Sequence, residues 1–487
     1  MTTISSLGIG ANLDLGGLLE SIKAGEQAPL MALQKQQTSF TAKLSAYGQL
    51  SSALSVLQTA SEALAKPELF SGIKANSSDS TVVSATTAAG ASSGVYALNV
   101  TQLAQAQSIA AAGVADTSTT IGAAVTSTVT LDFGTISGGT LDPLTGKYTG
   151  AAFDPDLTRT AASITIDSSN NTLAGIRDAI NANADMGVTA SIVNDGSATP
   201  SRLIFTSKLT GETSSMRIAV TGDATLGSLL NHDPAGLPAA QLQQTVVAQN
   251  SQLTVNGIAV TSANGQVMDA VQGVTMTLIK LGTSTLEVQN DIASVESAVN
   301  AFVKAYNGVQ SVASKLGAFD ADKATGGALL GDSVLRNIQV GIRSALTSAQ
   351  TDDGSGLTML SNIGVSFQKD GTLATDATKL KAALSGNLSG VANLFAGNAG
   401  VGGYGTQMAE LITSYTEADG TLSSATKGIN TSLDTLSDRY DKTQERIEAT
   451  VARYKAQFTA LDLMISRMNA TSSYLTQQFE IINAPTK

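Results

Sequence analysis

Apolar residues recur at helical spacing from the start of the chain. Leu15, Leu18, Leu19 and Ile22 share one helix face, with Asn12 and Asp14 placed to cap it. Gly25 and Pro29 predict an interruption, and Pro29 suits the first turn of a second helix. Leu30, Leu33, Phe40, Leu44, Tyr47, Leu50, Leu54, Leu57 and Leu64 follow mostly at steps of three, four or their sums, so the second helix is long, amphipathic and stops at Pro67. The C-terminus repeats the pattern. Leu433, Leu436, Tyr440, Ile447, Val451, Tyr454, Phe458, Leu461, Ile465 and Met468 form a seam that continues to Leu475 and Phe479, with no proline between Asn430 and Phe479. Two long helices at opposite ends of a chain can pair only if everything between them is inserted into their partnership.

In the middle the period changes to two. Strands are predicted at 81–85, 94–100, 125–133, 163–167, 188–193, 202–207, 216–220, 252–255, 273–279 and 284–288. Tyr96, Leu98 and Val100 alternate with polar neighbours, as in sheets with one wet face. Residues 113–162, rich in Gly, Thr and Ala, receive no firm assignment. One unit runs strand, helix, strand, turn and strand from Ser163 to Ser207; a weaker copy from Leu253 to Leu278 puts a short helix at 268–271. From Ile292 the helical spacing returns, with Val295, Val299, Phe302, Val303 and Tyr306 on one face, and 383–395 predicts a further short helix. The expected fold class is α+β and multidomain: a long helical coiled-coil leg built from both chain termini, with β-rich head domains inserted between them.

Charge separates the same regions. Residues 433–480 hold six basic and seven acidic side chains, 13 of 48, a mixed-sign pattern typical of coiled coils. Residues 76–290 hold seven basic against fifteen acidic, which is −8 of the chain's −11. This balance argues against nucleic acid and anionic membranes, both of which select clustered Lys and Arg. The absence of Cys excludes disulfides, thiolate metal sites and cysteine nucleophiles. The single His, His232, reads as a loop residue in a Gly/Pro-rich stretch, and one imidazole excludes a His-rich zinc site. Asp320-Ala321-Asp322 begins like a calcium loop but lacks the later ligands, and Phe153-Asp154-Pro155-Asp156 reads as a turn. There is no basic leader before an apolar core, and no apolar run near the roughly 18 residues of a membrane helix. An enzyme is disfavoured, and no catalytic, cofactor or metal residue is assigned.

Several motifs carry a resemblance. The opening Ile4-Ser5-Ser6-Leu7-Gly8-Ile9-Gly10-Ala11-Asn12-Leu13-Asp14-Leu15, the break Glu26-Gln27-Ala28-Pro29-Leu30, Ser45-Ala46-Tyr47-Gly48, and the runs 98–107, 454–462 and above all 469–479 resemble the bacterial flagellar filament cap family, hook-associated protein type 2. The 163–207 unit is similar to a module shared with flagellins. The resemblance implies a secreted structural protein, exported by the flagellar type III pathway without a cleavable signal. It implies a homo-oligomeric ring of about five subunits at the filament tip that promotes folding and insertion of flagellin and prevents its loss. Further partners are the hook-filament junction protein and an export chaperone; no cofactor, nucleic acid or membrane insertion is expected.

On this reading Leu7, Ile9, Leu15, Leu18, Leu19, Ile22, Leu475 and Phe479 are the assembly contacts, and Leu433 to Met468 are the coiled-coil seam. The expected domains are 1–40, mobile until assembled; 41–75, the N-terminal half of the leg; 76–112 with 240–290, an inner head; 113–239, an outer head; 291–430, a helical leg domain; and 431–487, the C-terminal coiled coil. The alternative is a surface adhesin whose acidic, Ser/Thr-rich head binds host glycans or mucin.

Overall fold

A computed structural model describes residues 13–123, 125–320, 325–398 and 401–482. The chain divides into two compact units, Met1–Phe70 with Ile292–Lys487, and Ser71–Asp291.

In the first unit the helix Leu15–Leu64 starts at Asp14, whose Oδ1 accepts the Gly17 amide at 2.8 Å. It runs unbroken through Pro29, correcting the predicted interruption. A proline removes one backbone donor and crowds the carbonyl four residues earlier. That residue is Gly25, and no other element packs within 4 Å of its Cβ position, so nothing outside the helix holds the backbone there in place. The C-terminal helix Thr421–Ile482 packs along it in the opposite direction. Gln34 Nε2 donates to Tyr440 Oη at 3.3 Å, while further along Leu44 and Tyr47 share a groove with Leu422 and Thr426. Leu50, Leu54, Leu57 and Leu64 are fully buried in one core with Phe302, Tyr306, Phe395 and Met408. The helix Ile292–Gly317 buries the face its spacing predicted. The single helix expected at 383–395 is two, Ala377–Gly386 and Leu388–Ala396. Asn387 leaves the helical region between them and its Oδ1 caps the second by accepting the Gly390 amide at 2.9 Å.

The second unit holds two apolar cores. The first lies between a five-stranded antiparallel sheet, ordered Ile73–Ser77, Gly282–Asn290, Gly94–Gln102, Ser251–Val255 and Ile258–Ser262, and a three-stranded one of Gln266–Val271, Val274–Leu278 and Val83–Thr87. Residues 268–271 are therefore strand, not helix. Four residues are too few for a helix, and Asp269 (φ 56°) opens a bulge between Met268 and Val271. The second core gathers the helix Leu173–Ala182 with the strands Ser127–Asp142, Ala162–Ile166, Val188–Asn194, Ser201–Ser207 and Ser215–Thr221.

The stretch 113–162, without firm assignment beyond the strand expected at 125–133, contains a hairpin, Ser127–Asp142 with Lys147–Pro155. Val129, Leu131 and Phe133 alternate into the core. Gly138, Gly139 and Gly150 all have positive φ where the ladder passes over Gly139, and a Cβ on Gly139 would lie 2.5 Å from the Ala151 nitrogen. The glycines that read as lack of structure are what lets the hairpin bend.

Candidate assembly surfaces

The leg positions its seam by simple register. Leu15 lies nineteen positions before Gln34 and Thr459 nineteen after Tyr440, so the described start of the N-terminal helix comes level with Thr459. Seam burial follows. Leu436 and Ile447 are buried, Leu433, Tyr440, Val451, Tyr454, Phe458, Leu461 and Ile465 are half-buried, and Met468 is exposed.

The expected contact residues divide between inside and outside. Leu15 and Leu19 are buried and Ile22 is half-buried, whereas Leu18, Leu475 and Phe479 are exposed. Leu7 and Ile9 lie outside the described residues. Past the level of Thr459 one face of the C-terminal helix presents Met464, Met468, Leu475 and Phe479 along a shallow groove shared with Thr471 and Ser472. These fall at steps of four and seven, the same spacing as the seam. An exposed apolar stripe of this kind is a candidate interaction surface.

A second feature was missed from sequence. Within the head unit the chain passes from the first core to the second near 102–108 and returns near 241–251. Glutamines join the two passages. Gln102 Nε2 donates to the Asn250 carbonyl at 2.7 Å, and Gln249 Nε2 donates to the Leu103 carbonyl at 2.9 Å. Gln107, fully buried, donates to Gln244 Oε1 at 2.6 Å and accepts the Met216 amide at 2.5 Å. Gln244 Nε2 in turn donates to Tyr148 Oη at 3.0 Å. An amide side chain can satisfy donors and acceptors together where irregular strands cross. The signal was present in Gln102, Gln105 and Gln107, which sequence reasoning used only as a family mark.

His232 corrects the loop reading. It is buried, its backbone exchanges two 2.9 Å hydrogen bonds with Ile218, and its Nδ1 accepts the Leu242 amide at 3.1 Å. Its Nε2 has no hydrogen-bond partner among the described residues. Burial pushes the imidazole down from its usual value to about 4, against the opposing effect of Asp233. Phe153 to Pro155 complete the strand Lys147–Pro155 rather than a turn, and the turn follows at Asp156, whose Oδ1 accepts the Thr158 amide. Most of the calcium-like segment, 321–324, lies outside the described residues.

Family models for the N-terminus and C-terminus of flagellar hook-associated protein 2 match residues 11–107 and 248–470. The flagellar hook-associated protein 2 of Escherichia coli strain K12 is 40% identical over 490 residues, covering 99% of each chain. The chain belongs to the flagellar hook-associated protein 2 family. The Salmonella typhimurium member is 38% identical over 519 residues, covering 99% of this chain and 100% of that one. A crystal structure of the flagellar cap protein FliD from Escherichia coli aligns at TM-score 0.61 and 36% identity, over 79% of this chain and 99% of that chain. The resemblance read from the terminal motifs is borne out, as is the α+β architecture with a helical leg and inserted β-rich units. The family is one of structural proteins, not a known enzyme family, and its names speak for a cap rather than for the adhesin alternative.

Proposed function

We propose that this chain is a structural cap at the distal tip of the bacterial flagellar filament. It is a homo-oligomer, a ring of about five subunits, that helps exported flagellin fold and insert and keeps it from being lost. The observation that carries this reading is the pairing of the two chain ends into one leg whose C-terminal helix continues as an exposed apolar stripe. Such a stripe is costly in water and is relieved by covering it with neighbouring subunits. Leu475 and Phe479 on this stripe and Leu18 on the N-terminal helix are the outward contacts of the leg, and Leu7 and Ile9 extend the same role by sequence. The junction protein and an export chaperone are further partners, with export by the type III pathway. The cap is tested by deleting residues 1–30 in a strain that lacks its own copy. The expected result is no filament by electron microscopy and flagellin free in the medium. Filaments of normal length refute the role of the leg.

A further inference from the structure

The chain has neither Cys nor Trp, so its thioethers are its most readily oxidised side chains. Among the described residues Met186, Met216, Met276 and Met408 are fully buried, while Met31, Met268, Met359, Met464 and Met468 are exposed. Met464 and Met468 differ from the other exposed methionines in their setting. They stand four residues apart on the C-terminal helix, 57% and 61% exposed, in the same groove as Leu475 and Phe479.

We propose that Met464 and Met468 are modification sites through which peroxides loosen the assembly. The proposal rests on the reading that this stripe is covered by other subunits. The thioether sulfur attacks one peroxide oxygen, the O–O bond breaks and an S–O bond forms. The sulfur gives up two electrons, and the peroxide leaves as water once the proton has moved to the departing oxygen. The product is a polar sulfoxide within an apolar stripe, where it opposes burial while leaving the helix backbone intact. Two such groups one turn apart change the half of the stripe nearer the paired part of the leg.

The test treats purified full-length protein with hydrogen peroxide, maps oxidation by peptide mass spectrometry and measures self-association by sedimentation velocity. Met464 and Met468 are expected to gain oxygen at least about tenfold faster than the four buried methionines, and self-association to weaken about tenfold. The M464L/M468L variant is expected to keep its own starting association after peroxide, while M31L/M268L loses association as the unsubstituted chain does. Equal loss in M464L/M468L, or unchanged association of a chain oxidised at both sites, overturns the proposal. An untreated chain that stays monomeric at every concentration overturns the assembly reading itself, and this inference with it.

Discussion

Tyr47 and Asp332, 285 positions apart in the chain, meet in the leg unit, where the phenol donates to the carboxylate Oδ2 at 2.8 Å. The other oxygen, Oδ1, accepts the amides of Val334 and Leu335 at 2.9 and 3.1 Å, capping the helix Ser333–Thr347. Burial, and then Asp332, push the Tyr47 phenol well above its usual range, so it remains a donor. Tyr47→Phe is expected to cost about 1.5–3 kcal/mol, the worth of a hydrogen bond to a charged group, and Asp332→Ala about 1 kcal/mol more for the lost cap. Urea unfolding of both variants and of the double variant checks this. Additive effects contradict the shared bond.

Gly405 sits where the helix Tyr404–Thr416 crosses the N-terminal helix. A Cβ there would lie 2.9 Å from both the Ala65 nitrogen and the Ser61 carbonyl oxygen, backbone atoms that cannot turn aside. Gly405→Ala is expected to destabilise the leg by about 1–3 kcal/mol. Gly428, within the C-terminal helix, has nothing within 4 Å of its Cβ position, and Gly428→Ala is expected to stabilise by about 0.5–1 kcal/mol. Thermal melts that move both variants the same way refute the distinction.

His232 makes the fold sensitive to mild acid. Its folded-state value, about 4, lies below the ordinary value of 6.5, so the neutral ring stabilises the fold above the ordinary value. That stability is lost as pH falls through this window towards 4, by about 3 kcal/mol in all. The variant His232→Asn keeps an acceptor for the Leu242 amide but cannot titrate. Its stability is expected to be flatter across this range, and the lone imidazole resonance in the proton NMR spectrum of the unsubstituted chain reports the value directly.

A different acid response comes from the turns. Asp79, Asp116, Asp156, Asp167 and Asp370 each accept on Oδ1 both the amide and the hydroxyl of the Ser or Thr two residues on. Those hydrogen bonds hold the carboxyls below their usual range. Their contribution is present at neutral pH and is lost as pH falls below the ordinary carboxylate range. Asp167→Asn is expected to keep the turn and reduce the loss below pH ~4, measured by unfolding at stepped pH.

Gln107→Leu is expected to destabilise the head unit by about 1–3 kcal/mol for each partner stranded, here the Met216 amide and Gln244. Limited proteolysis near 102–108 and 241–251 should quicken. Unchanged cutting refutes the role of the glutamines as the joint.

What was legible in the sequence was whatever depends on spacing. The steps of three and four from Leu30 to Leu64 follow the face that the core covers, and the same spacing from Leu433 continues to Phe479 even where Met468, Leu475 and Phe479 are exposed. Pro29 was misread because its cost is set by Gly25 and by the packing of a much longer helix, neither of which is local. His232 was misread because a Gly/Pro-rich neighbourhood describes the backbone and says nothing of which side chain is enclosed. The first strand of the 127–155 hairpin was read at 125–133, but its extension and its partner strand were hidden by the glycines that bend it, and the glutamine joint by the fact that its partners lie well over a hundred positions apart. The outward stripe was half legible: Leu475 and Phe479 follow the seam period, but only the register shows how far the helix runs past the described start of its partner.

The bond between Gln34 and Tyr440 spans 406 positions. The two halves of the leg are separated by the whole stretch between Leu64 and Thr421, while the head closes on itself when Ile73 pairs with Asn290. A chain emerging from either end can therefore finish its head before its leg can begin to zip, because closing so long a loop comes late in folding. The last part to become complete is also the part that carries the proposed assembly contacts.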